Sequence, residues 1–162
     1  MISNLPLDDT DLRLLQALQR DAFLSNQALG DLAHVAAATA HRRVRRLQDA
    51  GLIERSVALL SPDALRAAGH PLLQALIEIT LDVQTAERLD AFERRASADA
   101  AVQQCWRVSP GPDFVLVIAV RDMAAYQAFA ARLLTGDADV RNVRAFFAIK
   151  RAKFGSELPL RD

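Results

Sequence analysis

The sequence predicts an α+β chain in two parts: an N-terminal winged helix-turn-helix, then a ferredoxin-like βαββαβ domain. Three observations predict it. Residues 8–50 carry three short helical patterns, the last of them rich in arginine (RRVRR at 42–46). Residues 61–71 hold two breaks, Ser61-Pro62-Asp63 and Gly69-His70-Pro71. Residues 72–149 then alternate strand and helix patterns in the order β-α-β-β-α-β. The expected boundaries are 1–60 for the helical domain, 61–71 for a linker, 72–150 for the sheet domain and 151–162 for a tail.

Length and composition fit this division. The chain has 162 residues, 51% of them hydrophobic, which is enough for two small cores. Its formal net charge is zero, so any attraction to nucleic acid has to be local. A single cysteine, Cys105, excludes an intramolecular disulfide and suits a reducing compartment. No stretch approaches the roughly 20 apolar residues of a membrane helix, and MISNLPLDDTD does not read as a signal peptide. The expectation is a cytoplasmic protein without a membrane partner.

The first helix opens at Leu7-Asp8-Asp9-Thr10-Asp11-Leu12. Asp8 is its cap, Asp11 completes a carboxylate variant of the capping box, and Leu7 and Leu12 are placed for a hydrophobic staple. Leu12, Leu15 and Leu18, with Leu14, form the buried stripe, and the helix fades near Ala22. Ser25 caps a second helix over 26–33, with Leu29 and Leu32 turned inward. The third helix runs over 37–50. Ala36 stands where a capping hydroxyl is usual, and Gly51 stops the helix. Leu52-Ile53 and Val57-Ala58-Leu59-Leu60 flank Glu54-Arg55-Ser56, which reads as a wing hairpin.

At 100° per residue, Ala40, Val44 and Leu47 share one face of the third helix. Thr39, Arg42, Arg45 and Arg46 fall opposite, with His41 and Arg43 on the flanks. An apolar seam behind outward guanidinium groups suits a DNA major groove, where arginine reads guanine edges and grips phosphates. The competing reading is a solvated, arginine-rich face.

In the second half, 72–81 is a first strand and Thr85 caps a helix over 86–97 with Leu89 and Phe92 inward. The second strand, 102–109, places Val102, Gln104, Trp106 and Val108 on one face. Pro110-Gly111-Pro112 is a turn, and 113–120 is a nearly continuous apolar strand. Asp122 caps a helix through Leu134 with Tyr126, Phe129 and Leu133 as its stripe, and 140–149 is the last strand. Phe114-Val115-Leu116-Val117-Ile118 is apolar on both faces, so it is buried on both. Two helices cover only one face of such a sheet. A second copy of the chain is the economical cover for the other, and the tail folding back is the alternative.

These pieces together resemble the Lrp/AsnC (feast/famine) family of transcriptional regulators. The matching segments are LDDTDLRLLQAL, RRVRRLQDAGLI with SPDAL, DFVLVIAVRDMAAYQAF and VRNVRAFFAIKRAK. The resemblance implies a winged helix-turn-helix joined to a dimerising ferredoxin-like (RAM) domain, double-stranded DNA as partner, dimers assembling further, and a small effector, often an amino acid. It places Thr39, His41, Arg42, Arg43, Arg45 and Arg46 at DNA. It places the effector's ammonium at Asp113 and its carboxylate at backbone N–H groups around Gly111, with Arg107, Met123, Phe146 and Ala148 shaping the pocket.

Three departures from the family pattern stand out. Ala33-His34-Val35-Ala36 replaces a turn that usually reads like Val-Gly-Leu-Ser. Pro110 occupies the effector-loop glycine position, removing an N–H donor. Ala145 replaces a common threonine. Apart from these, Arg107 brings a charge able to pair with Asp113. Two further readings remain: an architectural DNA binder, or an oligomeric ligand-sensing module with little DNA specificity. The histidines are scattered at positions 34, 41 and 70, and no nucleophile motif, phosphate loop or metal spacing appears. The expectation is therefore no catalytic residue, no metal and no cofactor.

Overall fold

A computed structural model describes residues 5–137 and 139–160. The chain divides into two compact units. One comprises the first 59 residues together with 153–162, and the other comprises residues 60–152.

In the helical unit, α1 spans Asp9–Arg20, α2 Asn26–Ala33 and α3 Ala37–Asp49. The Asp8 carboxylate accepts the Asp11 N–H at 2.9 Å, and the Asp11 carboxylate accepts the Asp8 N–H at 3.2 Å, closing the capping box. Ser25 Oγ accepts the Ala28 N–H at 3.1 Å and starts α2. Leu14, Leu29, Ala33 and Ala40 form the buried cluster, with Leu18, Leu24, Val35 and Val44 packed against it. Leu32 points outward instead, 54% exposed. The reason is the close approach of α2 to the start of α3. A side chain at Gly30 would meet the Val35 carbonyl at 2.6 Å. The inward face of α2 is therefore Leu29, Gly30 and Ala33, and Leu32 lies off that face.

The connection between α2 and α3 uses His34 in the left-handed region, φ 57°, where glycine is usual. A side chain there costs roughly 1–2 kcal/mol. Ala36 precedes α3 without a side-chain cap. Gly51, at φ 74°, ends the helix as expected.

The expected wing hairpin does not form. Residues 54–60 run without a paired strand, and Val57, Leu59 and Leu60 are exposed. A two-stranded hairpin is marginal in water unless a third strand or a helix covers its apolar face.

The tail belongs to the helical unit. Gln19 Nε2 donates to the Leu158 carbonyl at 3.1 Å, and the Leu158 N–H donates to Gln19 Oε1 at 2.6 Å. Arg20 and Glu157 pair at 3.2 Å.

In the second unit, a short helix α4, Pro62–Ala67, precedes β1 (Leu73–Leu81), α5 (Ala86–Ala98), β2 (Val102–Arg107), β3 (Phe114–Val120), α6 (Met123–Leu133) and β4 (Val140–Phe147). The sheet order is β2-β3-β1-β4, with every pair antiparallel. Thr85 and Asp122 cap α5 and α6. Both helices lie on one face, over a core of Ala75, Ile77, Ile79, Phe92, Phe114, Leu116, Ile118 and Phe129. The rings of Phe92 and Phe114 tilt against each other at 4.8 Å. A register shift between Val102 and Gln104 breaks the alternation of β2. Val102 therefore joins Cys105 against the core, while Gln104 and Trp106 face the other way.

Among the described residues of this unit, no helix lies over the second sheet face. Val115 and Val117 are half-buried there. Leu76, Trp106 and Phe146 stand 47%, 57% and 46% exposed. Cross-strand register aligns Gln104, Val117, Leu76 and Phe146 in one row, and Trp106, Val115, Glu78 and Arg144 in the next. Among the described residues no helix is long and apolar enough to cross a membrane.

Candidate nucleic-acid interface

The third helix presents its arginines in two different ways. Ala40 and Leu47 are fully buried and Val44 packs beside them, which sets the rotation of α3 on α1 and α2. The opposite stripe, Ala38, His41, Arg42, Arg45 and Asp49, is exposed. Arg42 and Arg45 have no ion-pair partner among the described residues. Thr39, at the edge of this stripe, is half-buried.

Arg43 and Arg46 turn toward α1. Arg43 Nη1 donates to Asp8 Oδ2 at 2.6 Å and to Asp11 Oδ1 at 3.0 Å. Arg46 Nη2 donates to Asp11 Oδ2 at 2.5 Å. Asp11 is fully buried, so both guanidinium groups are drawn to a carboxylate that water does not reach. The hydrogen bond from Arg43, then that from the Asp11 N–H, holds the Asp8 carboxyl at a pKa of about 2. The same carboxylates raise the Arg43 pKa above its ordinary value. Of the six residues expected at DNA, His41, Arg42 and Arg45 thus share the open stripe. Thr39 borders it, and Arg43 and Arg46 are engaged elsewhere. The spacing of Asp8 and Asp11 marks them only as caps, and nothing in it shows that they also bind arginines on α3.

The expected effector residues separate into two groups. Arg107, Gly111 and Asp113 sit at the end of the sheet where β2 leads into β3. Met123 begins α6, beyond the opposite end of β3, and Phe146 and Ala148 lie toward that same end. The seven residues of β3 span roughly 23 Å. One chain therefore does not gather the six into one pocket.

Asp113 is engaged in the turn. Its Oδ2 accepts the Leu81 N–H at 2.7 Å, and its own N–H donates to the Ile79 carbonyl at 2.8 Å. Arg107 does not pair with it. The Arg107 guanidinium instead reaches Asp90 at 2.6 Å and Glu93 at 2.7 Å on α5, and sits 5.7 Å from the Phe114 ring centre. The reason is facing: Arg107 lies on the helix side of β2, where α5 supplies two carboxylates. Gly111 has φ 121° with open space around its α-carbon. Ala148 borders a cleft of about 380 Å³ that Arg66 and Lys150 also line.

Cys105 is half-buried, and burial raises its thiol pKa, which suits a packing role. Among the described residues no group of three His, Cys, Asp or Glu side chains could hold a metal ion.

A helix-turn-helix with an open arginine stripe, followed by a four-stranded α+β sandwich with one bare face, has the make-up of a DNA-binding regulator with a second, separate domain. Comparison with known proteins narrows the class. The family profile described as winged helix-turn-helix DNA-binding matches residues 7–54, and the Lrp/AsnC ligand binding domain profile matches residues 74–158. The Bkd operon transcriptional regulator of Pseudomonas aeruginosa is 32% identical over 95% of this chain and 98% of its own. The leucine-responsive regulatory protein of Rhizobium meliloti is 33% identical over 94% and 96%. A transcriptional regulator from Neisseria meningitidis, solved as a complex with L-Met, superposes with a TM-score of 0.80 at 28% identity, covering 96% of this chain and 97% of that one. The chain belongs to the Lrp/AsnC family of transcriptional regulators.

Proposed function

We propose that this regulator recognises DNA through the exposed stripe of α3, with Arg42 and Arg45 as the principal contacts and Thr39 and His41 beside them. The observation that carries this reading is that Arg42 and Arg45 are exposed and lack an ion-pair partner among the described residues, on a helix whose back is an apolar seam. Arg42, nearer the N-terminus of α3, reads a base edge, and Arg45 grips phosphate. The chain acts as a homodimer joined through the bare sheet face, with higher assembly of dimers. Two-fold symmetry then places half-sites about one helical turn of DNA apart, or a multiple of it.

The test uses full-length protein and an operator selected from genomic fragments. Arg42→Ala lowers operator affinity by about 1–3 kcal/mol and relaxes the preference at one base pair. Arg45→Ala weakens all sequences and flattens the salt dependence. Wild-type affinity of both variants across a salt series would place the recognition surface elsewhere. Light scattering at micromolar concentration tests the assembly, which a strictly monomeric mass overturns.

The effector reading follows from the separation of its residues. Gly111 and Asp113 of one subunit meet Met123, Phe146 and Ala148 of another, so the pocket exists only in the assembly, and Arg107, held by Asp90 and Glu93 on the helix side, stays outside it. One Asp113 oxygen is committed to the Leu81 N–H, and the ligand's ammonium meets the other. The neighbour solved with L-Met supports an amino acid as the ligand class. Calorimetry of the assembled protein against the common amino acids tests it. No heat at millimolar ligand overturns it.

A further inference from the structure

We propose that Asp11 is a specificity-determining residue that withholds Arg43 and Arg46 from phosphate, so that Arg42 and Arg45 supply the free positive charge of the recognition helix. This rests on α3 being the recognition helix. Four arginines within five residues form an unusually dense cationic patch for a chain whose net charge is zero. A patch of that kind binds any duplex, because phosphate contacts carry no sequence information.

The geometry removes half of it. The Asp11 side chain is 1% exposed, and each oxygen takes one guanidinium: Oδ1 takes Arg43, and Oδ2 takes Arg46 together with the Asp8 N–H. Asp8 holds Arg43 from a second side. Moving either arginine to a phosphate strips a partner from a buried carboxylate, and a solvent-exposed phosphate contact does not return that loss. The two aspartates therefore cancel two of the four positive charges. They cancel the two that turn toward α1 and spare the two that do not. Non-specific binding depends on how many phosphates are neutralised, so it falls more than base readout does. Asp11 acts through the arginines and touches no DNA; it is a positioning residue.

The test compares wild-type protein, Asp11→Asn and the triple variant Asp11→Asn/Arg43→Gln/Arg46→Gln. Each is titrated with the operator and with an unrelated duplex from 50 to 200 mM salt, after circular dichroism has confirmed folding. Asp11→Asn frees Arg46, while Asp8 keeps Arg43, and steepens the salt slope by about 0.9 on each recognition helix. For one arginine this means roughly threefold more affinity lost across that salt range on each helix, with a lower ratio of operator to non-operator binding. The triple variant returns to the wild-type slope.

An unchanged slope in Asp11→Asn overturns the proposal. So does a triple variant whose slope is shallower than wild type, since the arginines then already touch phosphate. If Asp11→Asn does not fold, the triple variant decides alone: a wild-type slope supports withholding and a shallower one refutes it. A merely structural role moves the melting temperature and leaves the slope. The wider reading of α3 fails separately, through Arg42→Ala and Arg45→Ala leaving operator binding intact.

Discussion

The helical unit and the sheet unit are held together by different physics. The sheet unit has a core of large side chains, with Phe92, Phe114, Phe129, Ile77, Ile79, Leu116 and Ile118 all fully buried. The helical unit has a small cluster in which two of the four buried members are alanines, and its recognition helix is tied to α1 by a buried carboxylate and two arginines. Its turn carries a left-handed histidine, and α3 starts without a side-chain cap. Apolar burial scales with area and responds little to pH or to moderate salt, whereas ionic ties respond to both. The DNA-contacting unit is therefore the more adjustable one, and the sheet unit is the fixed frame.

The largest expected effect lies in the sheet. Phe114→Ala removes a ring that packs on Phe92 at 4.8 Å, and it costs about 3–5 kcal/mol. Trp106, the only tryptophan, lies in this unit and reports its unfolding in denaturant by fluorescence. A loss below about 1 kcal/mol would show that the sheet core is not the dominant source of stability.

Asp113 gives the next effect. Its bond to the Leu81 N–H joins the start of β3 to the end of β1. Asp113→Ala is expected to cost about 1–3 kcal/mol, as for hydrogen bonds to charged groups. Asp113→Asn keeps an acceptor and costs less. The same fluorescence experiment separates the two variants. Equal stability of both with wild type would assign Asp113 no structural part.

A gain is expected in the helical unit. Ala36→Ser supplies the missing oxygen at the start of α3 and stabilises by about 1 kcal/mol. Protection of α3 amides in hydrogen exchange measures it, and an unchanged rate shows that tertiary packing already saturates this end.

The smallest effect is acid sensitivity. The folded pKa of Asp8, about 2, lies below its ordinary 3.8. Its contribution is thus fully present above about pH 4 and is lost as pH falls toward 2. Exchange protection of α1 and α3 falls over that window in wild type, and Asp8→Asn removes this part of the fall. Identical profiles for the two proteins would mean that the Arg43 pair does not tie the helices.

What the sequence determined by itself is the local chemistry. The capping box at Asp8 and Asp11, the caps at Ser25, Thr85 and Asp122, the stop at Gly51, the strand and helix order, and the Phe129 and Leu133 stripe of α6 follow from spacing alone. Each depends on neighbours within one or two turns. Even the bare sheet face was legible, because β3 is apolar on both sides while the pattern supplies only two helices.

Tertiary structure decided whatever depends on a distant partner. Arg46 looked outward on a helical wheel, yet the carboxylate that claims it lies 35 residues away. Arg107 looked free to meet Asp113, yet its strand face brings it to Asp90 and Glu93. Leu32 fitted an inward pattern until the close approach at Gly30 turned the face of α2. Val102 changed sides through one irregularity in β2, and the 52–60 segment stayed unpaired, with Val57, Leu59 and Leu60 left exposed among the described residues. Periodicity determines which side of an element is apolar. Which charge meets which is set by the packing of elements far apart in the chain, and a buried carboxylate draws in whichever cations that packing brings within reach.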